Sequence, residues 1–333
     1  MEPYAPIAEQ YGDFARWSRD ESPCFADWAR GVAEDPDVLG ALSGLPKLKQ
    51  QPNLVFAAAR WHGVPAPGPY SGLRDALLGE DGLAHGGAIR ATILARSTQT
   101  NEVGRLATLT PAFAMFAGEE PLALVEAGTS AGLCLHPDRY SYAWSTEHGP
   151  VTAGDGPRLE CEVAGPFPEQ VTLPQVAWRA GIDLNPLSVI DEDAMAWLEN
   201  LVWPEQDERR ERLRTAVGVA RSDPPAVIAG DLLTELPGVV EQAGATGPVV
   251  VFHSAVIAYL EAADRVRFQE MMTSLVSEGR CHWVSNEGTN VLPDLTATGP
   301  PVPEDLSTFV LGVDGRAVAW THGHGSSMTW LHP

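Results

Sequence analysis

The stretch PLALVEAGTSAGLCLHPDRY, residues 121–140, decides the fold of this chain. It begins with the continuous apolar run LALVEA, which is typical of a buried strand. The run breaks into a turn at Gly128 and Gly132, and AGLCLHPDRY is then predicted to open a helix. A buried strand that turns through glycines into a helix indicates an open, mostly parallel sheet. In such sheets, ligands bind beyond the carboxyl ends of the strands.

The rest of the chain after this stretch continues to alternate between strands and helices. Strands are predicted at AGIDL, PAVIAGD, GPVVVFHS and RCHWVSNEG, with amphipathic helices between them. The last segment predicts two strands joined by the hairpin turn Asp314-Gly315. Residues 141–178 hold short β-like runs separated by Gly and Pro, which predict an inserted hairpin. The fold class is therefore α/β, mostly parallel, with an antiparallel C-terminal hairpin.

The first third of the chain has only helical periodicity, and it predicts an N-terminal all-helical domain over residues 1–118. Residues 119–333 form the predicted sheet domain. Ser22 before Pro23 is the expected N-cap of one helix. In QTNEVGR, a helix would place Asn101 and Arg105 on one face, one turn apart.

The charge balance excludes several classes of partner. The 333 residues carry 44 acidic and 22 basic side chains, a net charge of −22, so phosphate backbones and anionic membranes are repelled. No signal peptide or apolar run of membrane-spanning length is visible. The four cysteines stand far apart without a CxxC pair, which argues against a zinc site and fits a reducing cytoplasm. We expect a cytoplasmic protein with a small-molecule substrate.

The turn after the first strand resembles the first motif of class I S-adenosylmethionine-dependent methyltransferases. That motif reads acidic-x-Gly-x-Gly-x-Gly. Glu126, Gly128 and Gly132 fill the acidic place and the first and third glycine places, while Ser130 replaces the middle glycine. The resemblance implies a Rossmann-like methyltransferase sheet that binds S-adenosylmethionine.

Later segments extend this resemblance in the expected order. Asp183 follows the second sheet strand, where the family keeps an acid for the ribose hydroxyls. Asp231 follows the third, where an acid often faces the adenine amino group. About fifty residues separate Gly132 from Asp183 instead of the usual twenty or so, and the insertion absorbs the surplus. The resemblance implies a cofactor site formed by Asn101, Arg105, Glu126, Gly128, Thr129, Ser130, Gly132, Asp183, Leu184, Asp231, Leu232, His253 and Ser254.

Candidate catalytic residues follow the fourth and fifth strands. His253 ends a buried strand at the carboxyl edge and is the first candidate for a base. Glu287 ends the next strand and is expected to face the acceptor. Glu205 is a weaker candidate near the mouth of the site. His322 and His324 are close enough to chelate a metal, but no third ligand is visible, so no metal site is predicted.

The segments TQTNEVGR, EAGTSAGL, GIDLNP, LVWPEQ and VVFHS occur together in this chain. In this combination the chain also resembles, over nearly its whole length, a bacterial family of unknown function. The predicted activity is methyl transfer from S-adenosylmethionine to a small molecule, with the helical domain as a lid. One alternative is other sulfonium chemistry, such as cyclisation or alkyl transfer that releases methylthioadenosine. Another is a non-catalytic cofactor-binding protein. A nicotinamide oxidoreductase is disfavoured because the GxGxxG pattern is missing.

Overall fold

The protein is described by a computed structural model, which covers residues 5–99, 101–303, 306 and 308–331. The chain divides into two compact units. The first comprises Met1–Thr100 and Glu192–Glu211, and the second comprises Asn101–Asp191 and Arg212–Pro333. The division differs from the expected boundary at residue 118, because residues 101–118 belong to the sheet unit and a later helical segment belongs to the first unit.

The first unit is helical among its described residues. Phe14, Phe25, Trp28 and Phe56 pack edge-to-face or stacked in its core, and Trp203 from the later segment lies 5.4 Å from Phe14 between ring centroids. This burial of Trp203 explains why residues 192–211 join the unit. The helices are α1 (Ile7–Trp17), α2 (Pro23–Glu34), α3 (Pro36–Ser43), α4 (Pro52–Trp61), α5 (Tyr70–Leu78), α6 (Ala88–Ala95), α8 (Glu192–Leu201) and the start of α9 (Asp207–Ser222).

Two local predictions for this unit are confirmed. The Ser22 hydroxyl accepts the backbone N–H of Phe25 at 3.2 Å, so it caps α2, with Pro23 in the first turn. The chain breaks around Pro204 between α8 and α9. A side-chain cap and a proline act within a few residues, so the sequence suffices to predict them.

The second unit is built on one sheet in the order β3-β2-β4-β11-β10-β9-β8-β7-β1-β5-β6. Parallel pairs outnumber antiparallel pairs, so the predicted mixed α/β class with a large, mostly parallel sheet is confirmed. The strands are β1 (Leu122–Ala127), β2 (Ser141–Thr146), β3 (Gly149–Ala153), β4 (Arg158–Ala164), β5 (Val176–Asp183), β6 (Ala226–Ala229), β7 (Val249–Ser254), β8 (His282–Gly288), β9 (Phe309–Val313), β10 (Arg316–Thr321) and β11 (Ser327–Trp330).

Five consecutive strands of this sheet are parallel, in the order β6-β5-β1-β7-β8. Numbered among themselves they run 3-2-1-4-5, the order of doubly wound sheets, and the direction of winding reverses between β1 and β7. Ligands bind such sheets at the carboxyl ends of the strands beside that reversal. The remaining helices of the unit are α7 (Leu106–Ala114), the rest of α9, α10 (Leu232–Gly244), α11 (Ala262–Ser277) and α12 (Pro293–Thr296). The methyltransferase version of this fold stays a prediction.

The predicted insertion is present, but it is larger than a hairpin. β2 and β3 pair as a hairpin, and β4 lies parallel to β2 and to β11, far from β1 in the sheet. β5 begins at Val176, so the segment from there to residue 178 belongs to the main sheet. The hairpin at Asp314-Gly315 joins β9 to β10 as predicted, with both turn residues at positive φ, while β11 was not predicted.

Two predicted helices are wrong. AGLCLHPDRY forms two short 3-10 turns, Leu133–Leu135 and Pro137–Arg139, because a left-handed Gly132 and then Pro137 interrupt α-helical hydrogen bonding. The segment around Asn101 is also not helical: α6 ends at Ala95, and a 3-10 turn spans Val103–Arg105. Asn101 and Arg105 therefore do not share a helical face.

Candidate functional site

The loop after β1 has the backbone that the glycine motif requires. Gly128, Ser130 and Gly132 have φ values of 74°, 52° and 73°. Ser130, which replaces the middle glycine, therefore adopts the left-handed conformation that glycine adopts most easily. A side chain at Gly128 would meet Val256 at 2.3 Å, so only glycine fits against the turn after β7. These three left-handed residues form a loop that lies at the carboxyl edge of the sheet.

Asp183 connects the end of β5 to this loop. Its Oδ2 accepts the backbone N–H of Ser130 at 2.8 Å, and its Oδ1 accepts that of Asn185 at 2.8 Å. The carboxylate is half-buried, and the next residue, Leu184, has 66% of its surface exposed. The Ser130 hydroxyl is buried and has no hydrogen-bond partner among the described residues. A fixed carboxylate, an unsatisfied hydroxyl and an exposed aliphatic side chain thus meet at one edge.

Glu126 and Thr129 form a hydrogen bond with each other inside the loop. The Thr129 hydroxyl donates to Glu126 Oε2 at 2.6 Å, and both residues are buried. Burial raises the pKa of the Glu126 carboxyl to about 8, with the nearby charge of Asp183 acting in the same direction. Glu126 therefore holds its proton at neutral pH, and it lies inside the loop instead of offering a charge to a ligand.

Asn101 stabilises the same loop through two side-chain hydrogen bonds. Its Nδ2 donates to the Thr129 carbonyl at 3.1 Å, and its Oδ1 accepts the Leu133 N–H at 2.9 Å. The predicted cofactor residue thus binds the two flanks of the turn. These hydrogen bonds hold the left-handed backbone in place.

Arg105 is buried between three chain segments. Its Nε donates to the Gly323 carbonyl at 2.8 Å, one terminal nitrogen donates to the Ser254 carbonyl at 3.0 Å, and the guanidinium lies 5.7 Å from the Phe309 ring. The methyltransferase resemblance places Arg105 in the cofactor site. The geometry instead gives Arg105 the role of joining the ends of β7 and β10.

His253, the candidate base, is enclosed in the core of the sheet unit. It is fully buried on the α11 side of β7, with its ring 5.2 Å from that of Phe268. Trp283 Nε1 donates to His253 Nε2 at 3.0 Å, and an indole N–H can only donate. The ring proton therefore lies on Nδ1, which donates to Glu287 Oε1 at 2.7 Å. Both ring nitrogens are occupied.

Glu287 is a buried carboxylate with unequal oxygens. Oε1 accepts His253 Nδ1 and the backbone N–H groups of Val256, at 2.9 Å, and Ile257, at 3.1 Å. Oε2 is buried and has no hydrogen-bond partner among the described residues. Glu287 thus anchors the turn after β7 and retains one unsatisfied acceptor.

The other predicted positions have structural roles in this geometry. Asp231 caps α10 by accepting the Leu233 N–H at 2.9 Å, while Leu232 is buried in the core. The Ser254 hydroxyl accepts a hydrogen bond from Asn286 Nδ2 at 3.0 Å. In the helical unit, Glu205 accepts the Cys24 N–H at 2.9 Å and the Ser22 hydroxyl at 2.5 Å, so it anchors the start of α2.

His322 and His324 lie together after β10, with ring centroids 5.6 Å apart. In the part of the chain that the structure describes, no three His, Cys, Asp or Glu side chains come close enough together to hold a metal ion. Among the same residues, no helix is both long and apolar enough to cross a bilayer.

The sequence offered no signal for Trp283, the residue that donates to His253, because a tryptophan within an apolar strand looks like any core residue.

Residues 8–330 match the model of one protein family, DUF2332. That family is described as an uncharacterized protein conserved in bacteria. The match spans both units. No curated protein is similar enough to the chain to count as a relative.

Proposed function

Because the chain belongs to the DUF2332 family, whose description names no activity, we propose its function from the site: it binds S-adenosylmethionine and transfers the methyl group to a small molecule. The observation that carries this proposal is the contact between Ser130 and Asp183. A left-handed loop after β1 and an acid after β5 meet beside the reversal point of a 3-2-1-4-5 sheet.

The residues at this edge fit the nucleoside end of the cofactor. Asp183 is held by two backbone N–H groups, which orient its carboxylate for a vicinal diol. The buried Ser130 hydroxyl would gain the partner it lacks among the described residues. Leu184 offers an exposed aliphatic surface on which an adenine ring can pack. When bound, S-adenosylmethionine supplies an electrophilic methyl group on a positively charged sulfur.

Proton removal from an acceptor falls to Glu287 in this proposal, because His253 has no unoccupied nitrogen. Glu287 Oε2, near the carboxyl end of β8, is a buried acceptor without a hydrogen-bond partner among the described residues. His253 and Trp283 position the carboxylate through Oε1. Glu287→Gln should then lower the turnover rate by at least about 100-fold, the scale of general base catalysis, while cofactor affinity changes little.

The enclosure of these two groups favours a second candidate, a cofactor-binding protein without turnover. His253 is fully buried, and Glu287 has 2% of its surface exposed. An assay for S-adenosylhomocysteine formation with a panel of amine, thiol and hydroxyl acceptors separates the two candidates. Tight cofactor binding without product would favour the second.

The test of the cofactor site is titration calorimetry with S-adenosylmethionine and S-adenosylhomocysteine. Asp183→Asn should weaken both by at least about tenfold, because hydrogen bonds to a charged acceptor are lost. Leu184→Glu should weaken them without touching the loop, since that side chain is exposed. Asp155→Asn, at an exposed turn of the same unit, is the matched control. Absence of binding to the folded wild-type protein would refute the proposal.

A further inference from the structure

The inserted strands extend the sheet beyond β11 and create an open sheet face there. β2, β4, β11 and β10 are consecutive neighbours, and Ser145 pairs with Glu162, Glu162 with Ser327, and Trp320 with Thr329. Paired residues project from the same face, as do residues two apart on one strand. These side chains therefore share one face. It forms the floor of a pocket of about 410 Å³, a volume suited to a small molecule.

This pocket lies at the same edge of the sheet as the glycine loop. β10 runs parallel to β8, since β9 is antiparallel to both. Thr321, at the end of β10, lines the pocket and donates to Asn286 Oδ1 at 2.7 Å. Asn286 in turn donates to the Ser254 hydroxyl at 3.0 Å. These hydrogen bonds join the ends of β10, β8 and β7, on the face of the sheet opposite to that of Trp320.

The lining of the pocket has a clear chemical character. Its apolar part includes Trp320 and Leu306, its acidic part consists of the carboxylates Glu147 and Glu162, and His322 also lines it. No lysine or arginine lines it among the described residues. Over the same residues, no ion pair involves either carboxylate, whereas Glu160, two residues before Glu162 on the same face of β4, pairs with Arg158 at 2.8 Å.

We propose that this pocket binds the acceptor, and that the acceptor is a small amine or ammonium compound with an apolar body. The identification as acceptor rests on the proposed function, whereas the preference for a cation rests on the lining alone. An aromatic ring and a carboxylate together attract an organic cation. A carboxylate or phosphate ester would meet Glu147 and Glu162, with no lysine or arginine among the described lining residues to compensate. The net charge of −22 acts in the same direction over the whole surface.

The test uses three soluble probes of similar size, namely benzylamine, benzyl alcohol and benzoate, titrated into the full chain without cofactor. Benzylamine should bind most tightly and benzoate should not bind. Glu162→Gln should weaken benzylamine about threefold to tenfold and leave benzyl alcohol unchanged. Trp320→Leu should weaken both of those probes. Glu160→Gln is the matched control, because it removes a carboxylate from the same face of the same strand outside the pocket.

Three results would overturn the proposal: equal affinity for all three probes, no binding of benzylamine, or an equal loss in Glu160→Gln and Glu162→Gln. Because the cofactor is absent from this titration, its outcome is independent of the calorimetry with S-adenosylmethionine. A cation site without cofactor binding would refute the methyltransferase proposal alone. Cofactor binding with no cation site would refute only the assignment of the acceptor.

Discussion

The backbone N–H of Ser130 donates to the carboxylate of Asp183 at 2.8 Å, although 53 residues separate the two in the chain. This contact joins the loop after β1 to the end of β5. The intervening insertion leaves the main sheet and pairs near its other end, and β5 still returns beside β1. The contact holds Ser130 in its left-handed conformation, so the shape of the loop depends on a distant residue.

Asp183 should contribute to stability as well as to ligand binding. Asp183→Ala removes the acceptor of two backbone N–H groups, so we expect the free energy of unfolding to fall by about 1–3 kcal/mol. Urea unfolding followed by circular dichroism measures this change. Asp155→Ala, at an exposed turn, should stay within about 0.5 kcal/mol of wild type. Equal stability of the two variants would mean that the loop is held without Asp183.

Ser130→Gly should raise stability and lower ligand affinity together. Glycine relieves the left-handed strain and removes a buried hydroxyl that has no partner among the described residues, for a net gain of about 1 kcal/mol in the free energy of unfolding. The same change deletes the hydroxyl that we assign to the cofactor. Ser188→Gly, at a position without positive φ, should instead lose a few tenths of a kcal/mol. Lower stability of Ser130→Gly would contradict this account.

The raised pKa of Glu126 predicts a stability that depends on pH. The folded state keeps a proton that the unfolded carboxyl, with its ordinary pKa of 4.5, releases. This contribution to stability is complete below about 4.5 and is lost as pH rises towards and through about 8, by up to about 1.4 kcal/mol per pH unit.

Glu126→Gln should remove that dependence, because an amide keeps an acceptor for Thr129 and cannot ionise. The difference in unfolding free energy between this variant and wild type should therefore grow from pH 5 to about pH 8. Glu241→Gln, on the exposed side of α10, should show no such trend. Parallel pH profiles for wild type and Glu126→Gln would show that the carboxyl is ionised in the folded protein.

His253 should behave as a core residue. His253→Leu leaves the Trp283 indole N–H without an acceptor and takes one donor from Glu287, so we expect a loss of about 3 kcal/mol in the free energy of unfolding. His148→Leu, at an exposed turn, should change it by less than about 0.5 kcal/mol. Unchanged stability of His253→Leu with abolished turnover would restore its role as the base.

Local signals in the sequence sufficed for several features. The strand and helix alternation from residue 176 onward, the Ser22 cap, the break near Pro204 and the Asp314-Gly315 hairpin are all confirmed. Each depends on residues within a few positions, through periodicity, side-chain capping, a missing N–H or tolerance of positive φ. The positions of Gly128 and Asp183 at the carboxyl ends of β1 and β5 also follow from these local patterns.

The tertiary structure alone decided which of those residues are buried and which partners they contact. Side chains alternate between the two faces of β7, so His253 lies on the face that α11 covers. There its two ring nitrogens form hydrogen bonds with Trp283 and Glu287. Arg105 donates hydrogen bonds to carbonyl groups of two distant segments. The insertion pairs with β11 and forms the floor of a pocket around Trp320. Strand order, burial and the partner of each polar atom come from contacts between segments far apart in the chain, so no local pattern carries them.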